Sequence, residues 1–251
     1  MKSSAQMYEI ITLLKSNASA ENVKGMARFG IKADNILGVS IPLLRKIKAE
    51  IRKDYKNQLD IIHELADGLW LSGIHEARIL AGLIDIAELV TEEQMEAWVK
   101  DFDSWDVCDQ VCGNLFDRTP FAFKKAIEWS RRSEEFTKRA GFVLMATLAV
   151  HHKYATDTEF LQFFPLIEKE AHDDRNFVKK AVNWAIRQIG KRNKNLNIEA
   201  IILCEKIEQQ NFTSTRWIAK NAWLELKNEK TLMNLHKKRV TLPIIKKPKM
   251  F

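Results

Sequence analysis

The sequence is poor in residues that break helices. It contains nine glycines and five prolines in 251 residues, which indicates long helices with few sharp turns. It has no run of eighteen apolar residues, which excludes an ordinary membrane-spanning helix and any association with the membrane by that route. At 46% hydrophobic residues, the chain can nevertheless bury a substantial core.

Cysteine is scarce as well, with only Cys108, Cys112 and Cys204. Three cysteines form no disulfide framework, and the N-terminal MKSSAQMYEI lacks the apolar core of a signal peptide, so we expect a cytoplasmic protein. Cys108 and Cys112 lie four residues apart on one helix, which is a possible spacing for a metal pair. Because no histidine lies nearby and Cys204 is remote, buried thiols are expected rather than a zinc site. No metal and no other cofactor is expected.

The charge of the chain is unevenly distributed. The net charge is +7, and the whole excess lies after residue 229, where seven lysines and arginines occur without an acid. Residues 230–251 are therefore interpreted as a basic C-terminal tail, either an arm that holds a polyanion or a solvated terminus. Within residues 1–229, the segment 175–194 stands out because it carries seven basic residues and no acid.

Helical periodicity runs through almost the whole chain. Apolar residues recur at three- and four-residue spacing in segments such as YEIITLLK, LDIIHELADGLWL, EARILAGLIDIAEL and IEAIILCEKI. The period-two alternation that is typical of strands is absent. These patterns predict an all-α protein with a single domain over residues 1–229.

A weak internal repeat underlies these helices. Superposing the apolar segments aligns five small residues at gaps of 30, 33, 41 and 38 positions, with a more polar helix between successive copies. The aligned residues are Ala77, Val107, Ala140, Ala181 and Ala219. Helix pairs at this period predict an α-solenoid of the HEAT type, a curved array in which one row of helices lines a concave basic groove.

One acid in the segment FDSWDVCDQVCGNLF occupies an unusual position. On a helical wheel, Asp106 lies opposite the buried stripe and is expected to face solvent or to interact with the helix dipole in the first turn. Asp109 lies at the edge of that stripe, and Trp105 lies next to it, one turn earlier. Such an acid either pairs locally or is held in an apolar wall that a cationic substrate completes. The stripe itself consists of Val107, Cys108, Val111, Cys112 and Leu115.

Two later helices carry further candidate residues. Lys138 and Arg139 begin the apolar segment KRAGFVLMATLAV, where free backbone N–H groups favour anions and an arginine suits a phosphate. The alternative is an ordinary salt bridge between repeats. Trp184 interrupts the basic run KKAVNWAIRQIGKR, either as a core residue or as a ring that packs against a sugar.

Together, these motifs resemble the AlkD-like DNA alkylation repair family, DNA glycosylases built from HEAT-like repeats. The matching segments follow the order of the family over about 200 residues, a length typical of one large domain. They are MARFGI, ILGVSIPLLRKI, SWDVCD, the helix start KRA and FVKKAVNWAIR.

The resemblance implies roles for individual residues. Asp109, Trp105 and Trp184 are similar to the catalytic carboxylate and the two tryptophans of the family. Arg139 is similar to the arginine that holds the DNA backbone near the lesion. Phe29 stands where a tyrosine occurs in relatives. The expected DNA contacts are Arg139, Lys138, Phe177, Lys179, Lys180, Arg187, Lys191 and Arg216.

The implied activity is hydrolysis of the N-glycosidic bond of cationic N3- or N7-alkylpurines in double-stranded DNA, the first step of base excision repair. An alkylated purine such as 3-methyladenine or 7-methylguanine is already a good leaving group. A carboxylate that stabilises the oxocarbenium-like sugar and positions water then suffices. The resemblance implies that no base is flipped into a pocket, and nothing in the sequence indicates a polar base-reading site. A monomer is expected.

Two other functions remain open from the sequence. One is a nucleic-acid-binding solenoid of the same family without catalytic activity. The other is a HEAT-type scaffold for protein interactions, in which the uneven charge would be incidental.

Overall fold

The described part of the chain folds entirely into helices and connecting loops, which confirms the predicted all-α class. The computed structural model describes residues 2–31 and 35–237, where fifteen α-helices and one 3₁₀ helix occur and no strand forms. Within those ranges, no helix has the length and apolar character needed to cross a membrane.

The helices are α1 (Lys2–Ser16), α2 (Ala20–Ala27), α3 (Ile41–Asp54), α4 (Leu59–Leu71), α5 (His75–Ile84), α6 (Glu92–Lys100), α7 (Trp105–Asn114), α8 (Ala122–Trp129), α9 (Glu135–His151), α10 (Asp157–Leu161), α11 (Phe164–Glu170), α12 (Asn176–Gly190), α13 (Lys194–Gln209), α14 (Thr213–Leu226) and α15 (Glu229–Lys237), with the 3₁₀ helix at Phe116–Arg118.

Five of these helices form one stacked row, which we call the central row: α5, α7, α9, α12 and α14. Each contacts the next, and the intervening helices pack beside them, α8 against α9 and α13 against both α12 and α14. The small residues aligned by the sequence repeat are buried, one in each helix of the row. Because a small side chain lets neighbouring helices approach closely, the repeat marks the contacts of the stack. The α-solenoid is confirmed.

Helix α9 lies at the centre of the stack. All thirteen residues from Thr137 to Ala149 are buried, and the helix contacts α7, α8 and α12. A helix that is apolar on every face is stable only when other helices surround it. The apolar segment GFVLMATLAV therefore dictates the position of α9.

Gly141 sets the distance between α8 and α9. A Cβ atom at this position would overlap the backbone nitrogen of Ser130, and it would lie 2.8 Å from the Cα of that residue. It would also lie 2.9 Å from the carbonyl carbon of Trp129. Since these are backbone atoms at the end of a packed helix, they cannot move aside as a flexible side chain does.

An ion pair between the buried His75 and the partly buried Asp106 joins α5 to α7. The Nε2 atom of His75 lies 2.8 Å from Oδ2 of Asp106, and the other carboxylate oxygen of Asp106 is buried without a hydrogen-bond partner. Of the two interpretations of Asp106, the one that turns its side chain to solvent is therefore wrong, and its place in the first turn of α7 is as expected. A helical wheel describes one helix, whereas α5 covers this side of α7.

The environment of His75 changes its acidity. Burial lowers the pKa of His75, but the hydrogen bond and charge of Asp106 outweigh that effect, with Glu76 and Asp103 acting in the same direction. The resulting pKa lies above the ordinary value of 6.5. Protonation of His75 therefore favours the folded state.

The three cysteines are free thiols in the core. Cys108 and Cys112 belong to the predicted stripe of α7, all of which is buried. Burial raises the pKa of Cys204 to about 12, so that thiol stays protonated. Within the described residues, no cluster of three or more histidines, cysteines and acids is arranged to hold a metal ion.

The fold continues beyond the boundary expected at residue 229. Helix α15 buries Thr231 and Leu235 and contacts α14, so the first part of the segment 230–251 belongs to the stack. The boundary was placed by charge alone, and a basic segment can still bury an apolar stripe. Residues 238–251 of the expected tail lie outside the described residues.

The close approach at Gly141 predicts a destabilising Gly141→Ala variant. We expect the free energy of unfolding in urea to fall by about 1–3 kcal/mol, as for other overpacked cores. Gly25→Ala is the matched control, because Gly25 lies within α2 and no atom lies within 4 Å of its added methyl group. For this variant we expect the free energy of unfolding to rise by about 0.5–1 kcal/mol, because alanine has a better helix propensity than glycine. A stabilised Gly141→Ala protein would contradict the packing described here.

The ion pair of His75 predicts a pH dependence of stability. Its contribution is fully present below the unfolded pKa of 6.5, and it is lost as the pH rises through the higher folded pKa. An NMR titration should show His75 titrating above 6.5, and Asp106→Asn should lower that pKa. Urea unfolding of Asp106→Asn should then depend less on pH in this window. A His75 resonance that Asp106→Asn does not shift would count against the pair.

Candidate nucleic-acid interface

A two-pronged ion pair joins Asp109 of α7 to Arg139 of α9. The Nε atom of Arg139 donates to Oδ1 of Asp109 at 2.9 Å, and Nη2 donates to Oδ2 at 2.8 Å. Nη1 donates to the backbone carbonyl oxygen of Phe177, the second residue of α12, at 2.6 Å. One guanidinium therefore connects three consecutive helices of the central row.

Burial makes this pair rigid. The side chain of Arg139 is 7% exposed and that of Asp109 is 18% exposed. Burial raises the pKa of Asp109, with Arg139 acting in the opposite direction. Burial lowers the pKa of Arg139, but Asp109 outweighs this and the net direction is upward. The paired N–H···O geometry is that of an ionised carboxylate held in one orientation.

Trp105 lies one turn before Asp109, and the segment after α2 holds it in place. Its Nε1 donates to the carbonyl oxygen of Phe29 at 3.0 Å. The next residue, Gly30, has a φ of +80°, and a Cβ there would lie 2.9 Å from Cζ of Phe177. The turn thus needs glycine both for its backbone conformation and for its contact with α12. It ties the N-terminal region to both α7 and α12, beside the ion pair.

An open cleft of about 340 Å³ lies between α12 and α14; we call it the α12–α14 cleft. Arg139 lines it as well as holding Asp109, so the ion pair and the cleft are contiguous. Arg139 thus contacts Asp109 and shares the cleft with Trp184. That Trp105, Asp109, Arg139 and Trp184 form one surface stays a prediction. The lining residues are Arg139, Lys180, Asn183, Trp184, Arg187, Trp217 and Asn221.

The cations predicted on α12 lie in and beside this cleft. Lys180 is exposed in the lining, and Nζ of Lys179 lies 5.3 Å from the ring centre of Trp217. Arg187 and Lys191 both donate to the carboxylate of Glu225 on α14, at 2.5 and 2.6 Å. Burial raises the pKa of Glu225, but these two cations outweigh it and the pKa is lowered. The single negative charge of Glu225 thus offsets only part of the positive charge of Arg187 and Lys191.

Lys138 is not placed in this site. Its Nζ lies 2.7 Å from Glu170 and 3.2 Å from Asp173, in a buried ion cluster. The expected phosphate contact is therefore corrected to the alternative interpretation, a salt bridge between repeats. The reason is the direction of the side chain, since residues 138 and 139 point to different sides of α9.

Two other predicted DNA contacts have local roles in the structure. Arg216 is exposed and donates to the side chain of Asn211 at 3.0 Å, and it does not line the cleft. The ring of Phe177 packs against that of Phe136, with centroids 5.5 Å apart. Phe177 thus contributes packing and the carbonyl that Arg139 uses.

Sequence reasoning missed Trp217, Asn183 and Asn221. The repeat contained the signal, because Trp217 and Asn221 stand two residues before and two after the aligned Ala219. Trp105 and Asp109 hold the same positions around the aligned residue of α7. Together with Asn183 of α12, Asn221 gives the cleft two amide side chains that the sequence interpretation did not place there.

A solved structure shares this architecture. It is described as "A new family of proteins related to the HEAT-like repeat DNA glycosylases with affinity for branched DNA structures". The TM-score is 0.68 at 16% sequence identity, over 86% of this chain and 93% of that chain. At that identity the likeness establishes the common fold. No curated protein matches the chain significantly.

A family model described as DNA alkylation repair enzyme matches residues 10–226. The match runs from α1 to the last residue of α14, so it includes the whole central row. It also includes the ion pair, Trp105 and every residue that lines the cleft. The chain belongs to the DNA alkylation repair enzyme family.

Proposed function

We propose that the protein is a monofunctional DNA N-glycosylase, acting as a monomer on cationic N3- and N7-alkylpurines in duplex DNA. The observation that carries this proposal is the carboxylate of Asp109, which Arg139 holds rigidly, one turn from Trp105 and beside a cationic cleft. A carboxylate in a fixed position is the group that stabilises a developing sugar cation at low cost in reorganisation.

The reaction needs little from the protein. When the bond between C1′ and the purine nitrogen breaks, the electron pair leaves with the base, which becomes neutral. Positive charge then develops on the sugar, as in glycoside hydrolysis. The carboxylate of Asp109 stabilises this charge and positions the water that adds to C1′, and the proton of that water passes to solvent. The indole faces of Trp105 and Trp184 add cation–π stabilisation to the same charge, about 1–2 kcal/mol each.

Arg139 links DNA binding to this chemistry. A guanidinium has five N–H groups, and Arg139 uses three of them within the protein. The remaining two can donate to a phosphate beside the reacting sugar. A phosphate bound there shares the positive charge of Arg139, so the carboxylate of Asp109 is less fully neutralised and acts more strongly on the sugar cation.

The DNA backbone would follow α12, which supplies cations and no acid. Lys179, Lys180 and Arg187 lie in or beside the cleft, and Lys191 follows one turn after Arg187. Contacts of this kind to phosphates are independent of sequence, and they position the duplex rather than read it. This suits a repair enzyme that meets its lesions in any sequence.

A non-catalytic DNA-binding protein is the second candidate. Both oxygens of Asp109 are engaged by Arg139, and the similar solved structure is described as having affinity for branched DNA. Release of methylated base from alkylated DNA separates the enzyme from this binder. Salt-dependent duplex binding separates both from a scaffold for protein interactions.

The catalytic role predicts the effect of Asp109→Asn. Single-turnover excision of 7-methylguanine at saturating protein should fall roughly 10²- to 10³-fold, because the negative charge that faces the sugar is lost. The variant also leaves the buried charge of Arg139 unpaired, so it should melt at a lower temperature. Excision must therefore be measured at a temperature where circular dichroism shows the variant to be folded.

Glu170→Gln is the matched control for that loss of stability. It weakens another buried ion pair of α9, between Lys138 and Glu170, and it lies outside the proposed site. It should lower the melting temperature and keep the wild-type excision rate within about twofold, as substitutions away from a reaction centre do. A folded Asp109→Asn protein that excises as fast as Glu170→Gln would end the proposed mechanism.

The proposed phosphate contacts predict the effect of Lys180→Ala. Duplex affinity should fall, and the slope of log K against log salt should decrease by about 0.9, the value for one lost phosphate contact. Lys206→Ala, exposed on α13, should leave the slope unchanged. Fluorescence anisotropy between low and moderate salt measures both. Equal slopes in the wild type and Lys180→Ala would remove Lys180 from the interface.

A further inference from the structure

The α12–α14 cleft has features that hydrolysis at Asp109 does not require. Trp217 lines it from α14, the helix next to the one that carries Trp184. The proposed hydrolysis uses Trp184 but not Trp217. Trp217 is 39% exposed, although tryptophan is usually largely buried. Exposed aromatic rings in a cationic groove are the platforms on which unpaired bases stack in proteins that bind single strands.

The polar groups of the cleft match the edge of a base. Asn183 is 2% exposed, and its Nδ2 donates to the carbonyl oxygen of Ile218 at 3.1 Å, which leaves its side-chain oxygen as an acceptor. Asn221 is exposed on the facing helix and offers both donors and an acceptor. The Nε atom of Arg187 is buried and has no hydrogen-bond partner. A ligand with both donors and acceptors would complete these groups.

The charge around the cleft matches a phosphate. Lys180 lines the cleft, and the ammonium group of Lys179 lies over the Trp217 ring. A nucleotide whose base stacks on Trp217 would therefore place its phosphate among cations. The volume of about 340 Å³ lies within the range of small-molecule sites, roughly 300–1,000 Å³.

We propose that the α12–α14 cleft binds one unpaired nucleotide of the DNA. Its base stacks on Trp217, its edge meets the amides of Asn183 and Asn221, and its phosphate contacts Lys180. This nucleotide is not the one that is hydrolysed, because Asp109 does not line the cleft. The inference goes beyond the proposed glycosylase activity, which requires only a sugar near Asp109. An acidic peptide would satisfy the lysines but would leave the amides and the two ring faces unused.

The test compares two duplexes of the same sequence, one with a single unpaired 2-aminopurine and one fully paired. Wild-type protein should bind the bulged duplex more tightly, and the fluorescence of 2-aminopurine should change on saturation as the base stacks on an indole. Trp217→Ala should reduce the preference roughly 5- to 150-fold, the range for loss of one base-stacking contact. Trp217→Phe, which keeps a ring, should retain most of it.

Trp223→Ala is the matched control. Trp223 lies on the same helix, is 36% exposed, and has Nζ of Lys227 4.3 Å from its ring centre, but it does not line the cleft. It should keep the wild-type preference. The proposal is overturned if wild-type protein shows no preference and no fluorescence change, or if Trp223→Ala and Trp217→Ala lose the preference equally. Wild-type protein without a preference overturns the proposal even if a variant fails to fold.

This inference and the proposed function fail separately. Asp109→Asn should lose excision and keep the preference for the unpaired nucleotide. Wild-type protein that excises no alkylpurine, yet shows a preference that depends on Trp217, would refute the glycosylase and support the cleft. Full excision together with equal binding of both duplexes would support the glycosylase and refute the nucleotide site in the cleft.

Discussion

The site depends on one buried guanidinium. Arg139 pairs with Asp109 of α7, starts from α9 and donates to the backbone of α12, so three repeats meet at a single side chain. In an environment that excludes water, an arginine without these partners would be strongly destabilising, and so would the carboxylate alone. The stack must therefore bring the three helices into register. That same requirement fixes the orientation of Asp109 and places a cation at the edge of the α12–α14 cleft.

The repeat explains why structural and functional residues occupy the same positions. Small residues such as Ala140 and Ala181 let adjacent helices approach, and the positions around them necessarily face the neighbouring repeat or the open side of the row. In α5 and α7 these positions hold an internal ion pair between His75 and Asp106. In α14 they hold Trp217, whose ring is partly exposed. Such side chains therefore stabilise the stack at one end of the row, and at the other end they leave a ring accessible to a ligand.

Much of the fold followed from local sequence. The helical period, the apolar stripe of α7 and the buried position of α9 were predicted from the spacing of side chains along single helices. The same spacing placed Asp109 correctly at the edge of the core. The errors share one cause. Asp106 and Lys138 each find a partner on another helix, and α15 buries Leu235 against the end of the stack. No single-helix argument contains those partners. Trp217 was missed because it was not compared with Trp105 through the repeat.

The sequence by itself determined the helices, the repeat, the basic segment of α12 and the residue types on which the proposed activity rests. These are set by the spacing of side chains along one chain, which is a local property. Only the tertiary structure decided which charges are available. It neutralises Lys138, joins Asp109 to Arg139, divides Glu225 between two cations and opens a cleft between two tryptophans. Such pairings depend on the distance between helices about 30–40 residues apart in sequence, and only the packing of the stack sets that distance.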